Sequence, residues 1–278
     1  MLEFITLLLP FLLLGFVAAG LSRISGVALS MIIVPTLLIW GARPLDVVAF
    51  MLLFVVYNNF TAETQDVRLD YKDLVLFPRW RIAIPIVLTA LITFLSPPAG
   101  IGVFMACFVL ELMATVYKRI PEGDRPAIHR VVILSILSAV VTAVGAYVGP
   151  TISEDYYFGL AGLAILLITA FAWYAGRNRD AFKGIWEFIW VDFGIFLGLF
   201  GVESSNYPAG LTRDYKTPMD RMLPMITVVG GYAGLMVVLG VYGLFSIPSF
   251  ITAIGAAIGT RMFGLYEFPK RGTFSYLA

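Results

Sequence analysis

The stretch Gly15 to Gly41, GFVAAGLSRISGVALSMIIVPTLLIWG, is apolar at both ends and polar in the middle. Its centre, Leu21 to Ser30, holds Ser22, Arg23, Ser25, Gly26 and Ser30. An uninterrupted membrane helix has no use for such a cluster, whereas a broken one does. Gly26 lacks a Cβ and unwinds at low cost, and the serines can hydrogen-bond backbone groups that unwinding frees. Irregular backbone at membrane depth survives only where it is buried in protein or lines a wet cavity. A guanidinium at that depth costs at least roughly 2.5–3.5 kcal/mol, so Arg23 must meet a partner, water or a ligand. The stretch therefore predicts a helix, a polar elbow and a returning half-helix. A short surface loop between two ordinary helices is the alternative.

The membrane setting follows from composition. The chain has 278 residues, of which 60% are hydrophobic and only 13% charged; soluble domains carry about 25% charged residues. This predicts an all-α, polytopic integral membrane protein with several spans of about 20 residues. One lipid-embedded domain is expected over residues 1–278, in the plasma (inner) membrane. The formal net charge of +1, with no basic run, gives no reason to expect a nucleic-acid partner. A single cysteine, Cys107, excludes an intramolecular disulfide and any cysteine-cluster metal site. The single histidine, His129, cannot build a histidine site alone. The first apolar segment has the length of a signal peptide, but its flank carries Glu3 and no Lys or Arg, so it is read as the first span.

After the elbow, apolar runs predict spans at Leu45 to Phe60, Ile82 to Ser96, Ile101 to Tyr117, Val131 to Thr151, Tyr157 to Tyr174, Ile185 to Val202, Arg221 to Leu244 and Ile247 to Met262. Basic residues in short loops mark the cytoplasmic side. Lys118, Arg119, Arg125 and Arg130 place one loop inside, and Arg177, Arg179 and Lys183 another; the connection at Glu154 and Asp155 has no base and lies outside. Arg261, Lys270 and Arg271 favour a cytoplasmic tail. The tail reaches that side only if Ile185 to Val202 enters from the cytoplasm, breaks and returns. A second broken hairpin is therefore expected at Val202 to Pro218, entering from the face opposite to the first.

A weak internal repeat agrees. Gly26-Val27 is followed by Pro44-Leu45-Asp46, and Gly201-Val202 by Pro218-Met219-Asp220 at nearly the same spacing. Two inverted repeats with broken, re-entrant helices, roughly residues 1–120 and 129–278, are a known transporter plan. The second elbow is the more polar, with Glu203, Ser204, Ser205 and Asn206, and Asn58 and Asn59 close the span after the first. These residues, with Ser22, Arg23, Ser25, Gly26 and Ser30, are the candidate solute site. Half-helix ends offer free N–H groups and the positive end of a dipole. Hydroxyls add donors, and arginine adds a planar fork that fits carboxylate or sulfonate oxygens. Glu203 suits an anion less well; it can pair with Arg23 or Arg213, or carry a proton. Glu111, inside an apolar run, is a further polar residue at depth, with a salt bridge as the alternative role. There is no nucleophile elbow and no phosphate-binding glycine loop, so neither enzyme activity nor a cofactor is expected.

The first elbow also resembles a known family. Gly20, Ser25 and Gly26, then Val34-Pro35, Leu37-Leu38, Gly41 and Pro44, are similar to the first repeat of the TauE/SafE sulfite-exporter family. The likeness covers about 35 residues well and the rest loosely, and Ala28, Leu29 and Ser30 stand where that family has three glycines. The resemblance implies the two-repeat plan and alternating-access movement of a small, sulfur-containing anion such as sulfite or an organosulfonate. The altered glycines leave a different small solute open. A non-transporting anchor subunit of a larger complex is the rival from another class. Coupling to a proton or another ion, and assembly as a homo-oligomer or in a membrane complex, stay open.

Overall fold

In a computed structural model the described residues are 2–25, 29–63, 79–95, 97–178, 184–202, 218–244 and 246–264, with some helical side chains among them left undescribed. All regular structure in these segments is helical. The helices are α1 (Leu2–Ser25), α2 (Leu29–Ile39), α3 (Pro44–Glu63), α4 (Arg79–Leu95), α5 (Pro97–Arg119), α6 (Ile128–Val148), α7 (Glu154–Arg177), α8 (Trp186–Asp192), α9 (Gly194–Phe200), α10 (Pro218–Gly240) and α11 (Ile247–Gly264). Among the described residues three helical segments are long and apolar enough to cross a membrane: Ile128–Thr151, Glu154–Phe171 and Met222–Gly240. Shorter apolar helices are Leu8–Ser22, Pro44–Tyr57 and Ile247–Thr260.

The apolar runs are interrupted at three places. The run expected as one span from Ile185 is two seven-residue helices, α8 and α9, joined at Phe193. At ~1.5 Å per residue they extend about 22 Å, short of the roughly 30 Å hydrocarbon thickness. The chain leaves helical geometry at Gly201, whose φ of 73° is left-handed and so favours a residue without Cβ. Its N–H donates to the Leu197 carbonyl at 2.9 Å, and that of Val202 to Phe196 at 3.2 Å. The eleven-residue α2 is likewise only a half-span, about 16 Å long. It ends at Gly41, φ 82°, and the exposed Arg43–Asp46 ion pair at 2.8 Å closes the turn into α3. The Asp46 hydrogen bond, and then its charge, hold the Arg43 guanidinium pKa above its ordinary value.

The core is built on close helix pairs in which glycine replaces the knob. α1 packs along α11: Cβ atoms on Gly15 and Gly259 would lie 2.7 Å from the Ala256 nitrogen and 2.8 Å from the Phe16 carbonyl oxygen. α9 packs along α6 in the same manner. There Cβ atoms on Gly198 and Gly149 would lie 2.6 Å from the Ala146 nitrogen and 2.6 Å from the Leu199 oxygen. In each pair later residues of one helix meet later residues of the other, so both pairs are parallel. The matching runs are Val141-Thr-Ala-Val-Gly-Ala-Tyr-Val-Gly149 and Ile251-Thr-Ala-Ile-Gly-Ala-Ala-Ile-Gly259. Backbones this close exchange Cα–H···O contacts and dispersion, the usual adhesive where solvent supplies no hydrophobic drive.

Each pair has a third helix. α3 packs along α11 and starts where it starts: Ser249 Oγ donates to the Asp46 carbonyl at 2.9 Å. α10 joins α6 and α9, and Tyr242 just past its end donates to the Tyr147 carbonyl at the end of α6. α3 and α10 meet at the centre, where Gly231 and Gly234 admit Leu52 and Val55. Along this contact α10 rises as α3 descends. The buried faces of α3 and α10, from Val47 to Val56 and from Met222 to Val228, form the middle of the core. By contrast α7 is peripheral: 22% of its apolar window is buried, against 61% for α10.

Candidate functional site

The first elbow lies at the end of α1. Ser22 is half-buried near the carboxyl-terminal end of α1 and is engaged by a neighbour. Arg23 and Ser25 occupy the final turn of that helix, but their side chains, and Gly26 altogether, lie outside the described residues. Ser30 stands in the first turn of α2, fully buried, and its Oγ has no hydrogen-bond partner. An unpaired buried hydroxyl costs about 1–3 kcal/mol. The first-turn amides of a helix also lack intrahelical acceptors. The unpaired Ser30 hydroxyl thus stands at the positive end of the α2 dipole.

α9 ends at Gly201 and Val202, both buried, where the second elbow is expected to begin. A Cβ on Gly201 would stand 2.9 Å from Met51 Cγ, so α9 ends in the middle of the fold, against α3. Glu203, Ser204, Ser205 and Asn206 follow at once in sequence and lie outside the described residues. Asn58 and Asn59 fall in the last two turns of α3 and Glu111 within α5, and their side chains are undescribed. The structure therefore positions the two helix ends that carry the candidates. It relates Ser30 and Gly201 through α3, which packs against both α2 and α9.

Two polar features were not singled out from sequence. Arg130 at the start of α6 donates through Nη2 to Glu187 Oε2 at 2.9 Å and to the Gly184 carbonyl at 2.9 Å. The Glu187 side chain is 11% exposed, so the pair ties the foot of α6 to the foot of α8 in a largely dry setting. An aromatic ladder rises beside it: Trp186 stacks on Trp190 at 5.4 Å, and Phe171 of α7 lies 5.0 Å from Phe193 at the α8–α9 joint. The spacing Trp186, Trp190, Phe193 was a readable helical stripe. The partner of Glu187 was not readable, because it lies 57 positions away in the chain.

The second feature is a pair of hydroxyls between α6, α9 and α10. Ser138 and Thr142 are both buried, and Thr142 Oγ1 has no partner. Glycines from the two other helices cover them: Cβ atoms on Gly230 and Gly194 would lie 2.8 Å and 2.9 Å from Thr142 Oγ1. Among the described residues no group of three His, Cys, Asp or Glu could hold a metal ion. No protein-family model matches the chain, and no curated protein or solved structure does so either.

Proposed function

We propose that the chain is a multi-pass plasma-membrane transporter made of two inverted repeats, and that it moves a small anion by alternating access. The observation that carries this reading is the recurrence of one three-helix unit. Helices α1, α3 and α11 make one copy, and α9, α10 and α6 the other. The glycine contacts repeat residue by residue: Gly15 is to Thr252 and Ala256 as Gly198 is to Thr142 and Ala146. Of the two equivalent helices, α9 stops at Phe200, whereas α1 runs on for 24 residues to Ser25. The antiparallel contact of α3 with α10 supports opposite orientations for the two copies. Inverted repeats with discontinuous helices bind substrate at the repeat interface.

The anion follows from the chemistry of the first elbow. The head of α2 supplies main-chain donors, Ser30 a hydroxyl without a partner, and Arg23 in the preceding turn a fixed positive charge. The likeness of Gly20 to Pro44 to the sulfite-exporter repeat narrows the class to oxyanions of sulfur or related organic acids. Flux into proteoliposomes of sulfite, thiosulfate, a sulfonate and a carboxylate tests it. Ser30→Ala should raise the half-saturating concentration about tenfold, the worth of roughly one charge-assisted hydrogen bond. A folded, inserted protein that moves none of the four refutes anion transport. A stably co-purifying membrane partner with no flux would favour the anchor reading.

A further inference from the structure

We propose that Asp192 stands in a water-filled path at mid-membrane and is the group there that binds a proton. The inference rests on the transport reading for the existence of a path, and on its own observations for the residue. α8 and α9 run beside α6, so the residues of α6 mark depth along them. At the foot, Arg130 of α6 meets Glu187 of α8 at 2.9 Å. Further along, a Cβ on Gly194 would lie 2.9 Å from Thr142 Oγ1, and one on Gly198 2.6 Å from the Ala146 nitrogen. Asp192, two residues before Gly194, is therefore level with Val140. The apolar span that contains α6 runs from Ile128 to Thr151. At ~1.5 Å per residue, Val140 and Asp192 are roughly 17–18 Å from either end of it. The Asp192 carboxyl group is thus near the middle of the membrane.

At that depth an ionisable group must meet a partner, water or a ligand. Asp192 is exposed, and among the described residues its carboxylate makes no hydrogen bond or ion pair. The buried residues of α8, Trp186, Glu187, Trp190 and Val191, face the bundle, and Asp192 does not. A lipid-facing place does not suit it. Exposed residues of α6 at neighbouring levels are Ile136, Val140 and Val144, all apolar. Lysine and arginine can snorkel out of such a surface, but aspartate has no stem to do so. Water is what remains. The titratable groups on the elements packed against α8 and α9 are engaged elsewhere or stand at the helix ends. On α6, Arg130 is held by Glu187, while His129 and Tyr147 are exposed at the two ends. Tyr157 of α7 donates to the Leu199 carbonyl, and Tyr232 of α10 to that of Gly102. On α3, Asp46 binds Arg43 and Tyr57 packs on Phe250. The side chains of Glu63, Asp220 and Arg221 lie outside the described residues. A hard metal ion takes six or so oxygen ligands, and among the described residues no group of three His, Cys, Asp or Glu exists to hold one. A lone carboxylate in water binds a proton instead, and in that form it sheds its charge and lets a proton accompany the anion.

The test has two arms on the full-length protein in lipid vesicles. In a Cys107→Ala background, Asp192→Cys and Val140→Cys are exposed to a charged, membrane-impermeant methanethiosulfonate. The thiolate is the reacting form and needs water, so Asp192→Cys should react about tenfold faster or more than Val140→Cys at the same depth. Equal rates, or no reaction at Asp192→Cys from either side, overturn the proposal. The second arm leaves Asp192 in place. A hydrophobic carbodiimide attacks protonated carboxyl groups, and peptide mass spectrometry should find Asp192 modified in acidic buffer and progressively less as the pH rises. Asp192 unmodified at every pH, or modified equally at all, overturns the proton assignment. Neither arm contains a solute, so failure here is separable from failure of the flux assay: a protein that moves no anion can still show a wet, protonating Asp192, and a transporter can lack one.

Discussion

Replacing Gly198 by alanine tests the glycine-locked packing. The new Cβ would lie 2.6 Å from the Ala146 nitrogen, and closer still to the Thr142 carbonyl oxygen. Ordinary contact begins at 3.4 Å, so α9 must retreat from α6 by about 1 Å. Overpacking of this kind costs typically about 1–3 kcal/mol. The retreat also loosens the Cα–H···O contacts, each worth perhaps ~0.5–1 kcal/mol. Against this stands a gain of up to ~1 kcal/mol, because alanine is the better helix former. The net expectation is destabilisation of about 1–3 kcal/mol. Gly15→Ala should cost a similar amount, since its Cβ would meet Ala256 at 2.7 Å in the same geometry. Gly159 and Gly162 of α7 are the controls: a Cβ on either has nothing within 4 Å, so alanine there should be neutral or stabilising. Melting of the five purified proteins in one detergent reads the series. Gly198→Ala or Gly15→Ala melting at or above Gly159→Ala would refute the close-packing argument.

Glu187→Gln should destabilise by about 1–3 kcal/mol, less than a fully buried pair because Arg130 keeps 34% of its side chain exposed; the double change with Arg130→Gln should recover part of the lost melting temperature. Gly201→Ala should lower the melting temperature too, since a left-handed residue with a Cβ costs roughly 1–2 kcal/mol before its contact with Met51 is counted. Arg23→Lys keeps the charge but not the bidentate fork and should weaken anion uptake, while Arg23→Ala should abolish it in a protein that still folds and inserts. Normal uptake by a stable Arg23→Ala protein would remove Arg23 from the site.

Much of the helical plan was legible because membrane helices advertise themselves by apolar runs and by what interrupts them. Gly201 was readable as a break, since a glycine that ends an apolar run before a polar segment suits a left-handed cap, and the structure places it so. The joint at Phe193 was not, because nothing in Asp192-Phe193-Gly194 forbids a continuous helix; there the Phe193 ring packs against Phe171 and Trp190. From sequence the repeat is expected at the elbows, through Gly26 and Gly201. The contacts align Gly15 with Gly198 instead, which puts Gly201 opposite Ala18. The stronger signal was the run Thr142-Ala-Val-Gly-Ala146 against Thr252-Ala-Ile-Gly-Ala256. Small residues in apolar helices are commonplace, so such a run carries no weight until a backbone lies on it. The ion pair of Arg130 with Glu187 and the unpaired Thr142 depend on tertiary neighbours and leave no local pattern.

The opposed orientation of the two three-helix units is the claim on which transport by two inverted repeats stands. Arg43 opens α3 in one unit and His129 opens α6 in the other, and both are exposed. Single cysteines at Arg43 and at His129, in a Cys107→Ala background, can be probed in intact cells and in inverted vesicles with a membrane-impermeant maleimide. The account predicts that the cysteine at Arg43 is labelled only from outside and the one at His129 only from the cytoplasm. Labelling of both from the same side would contradict it.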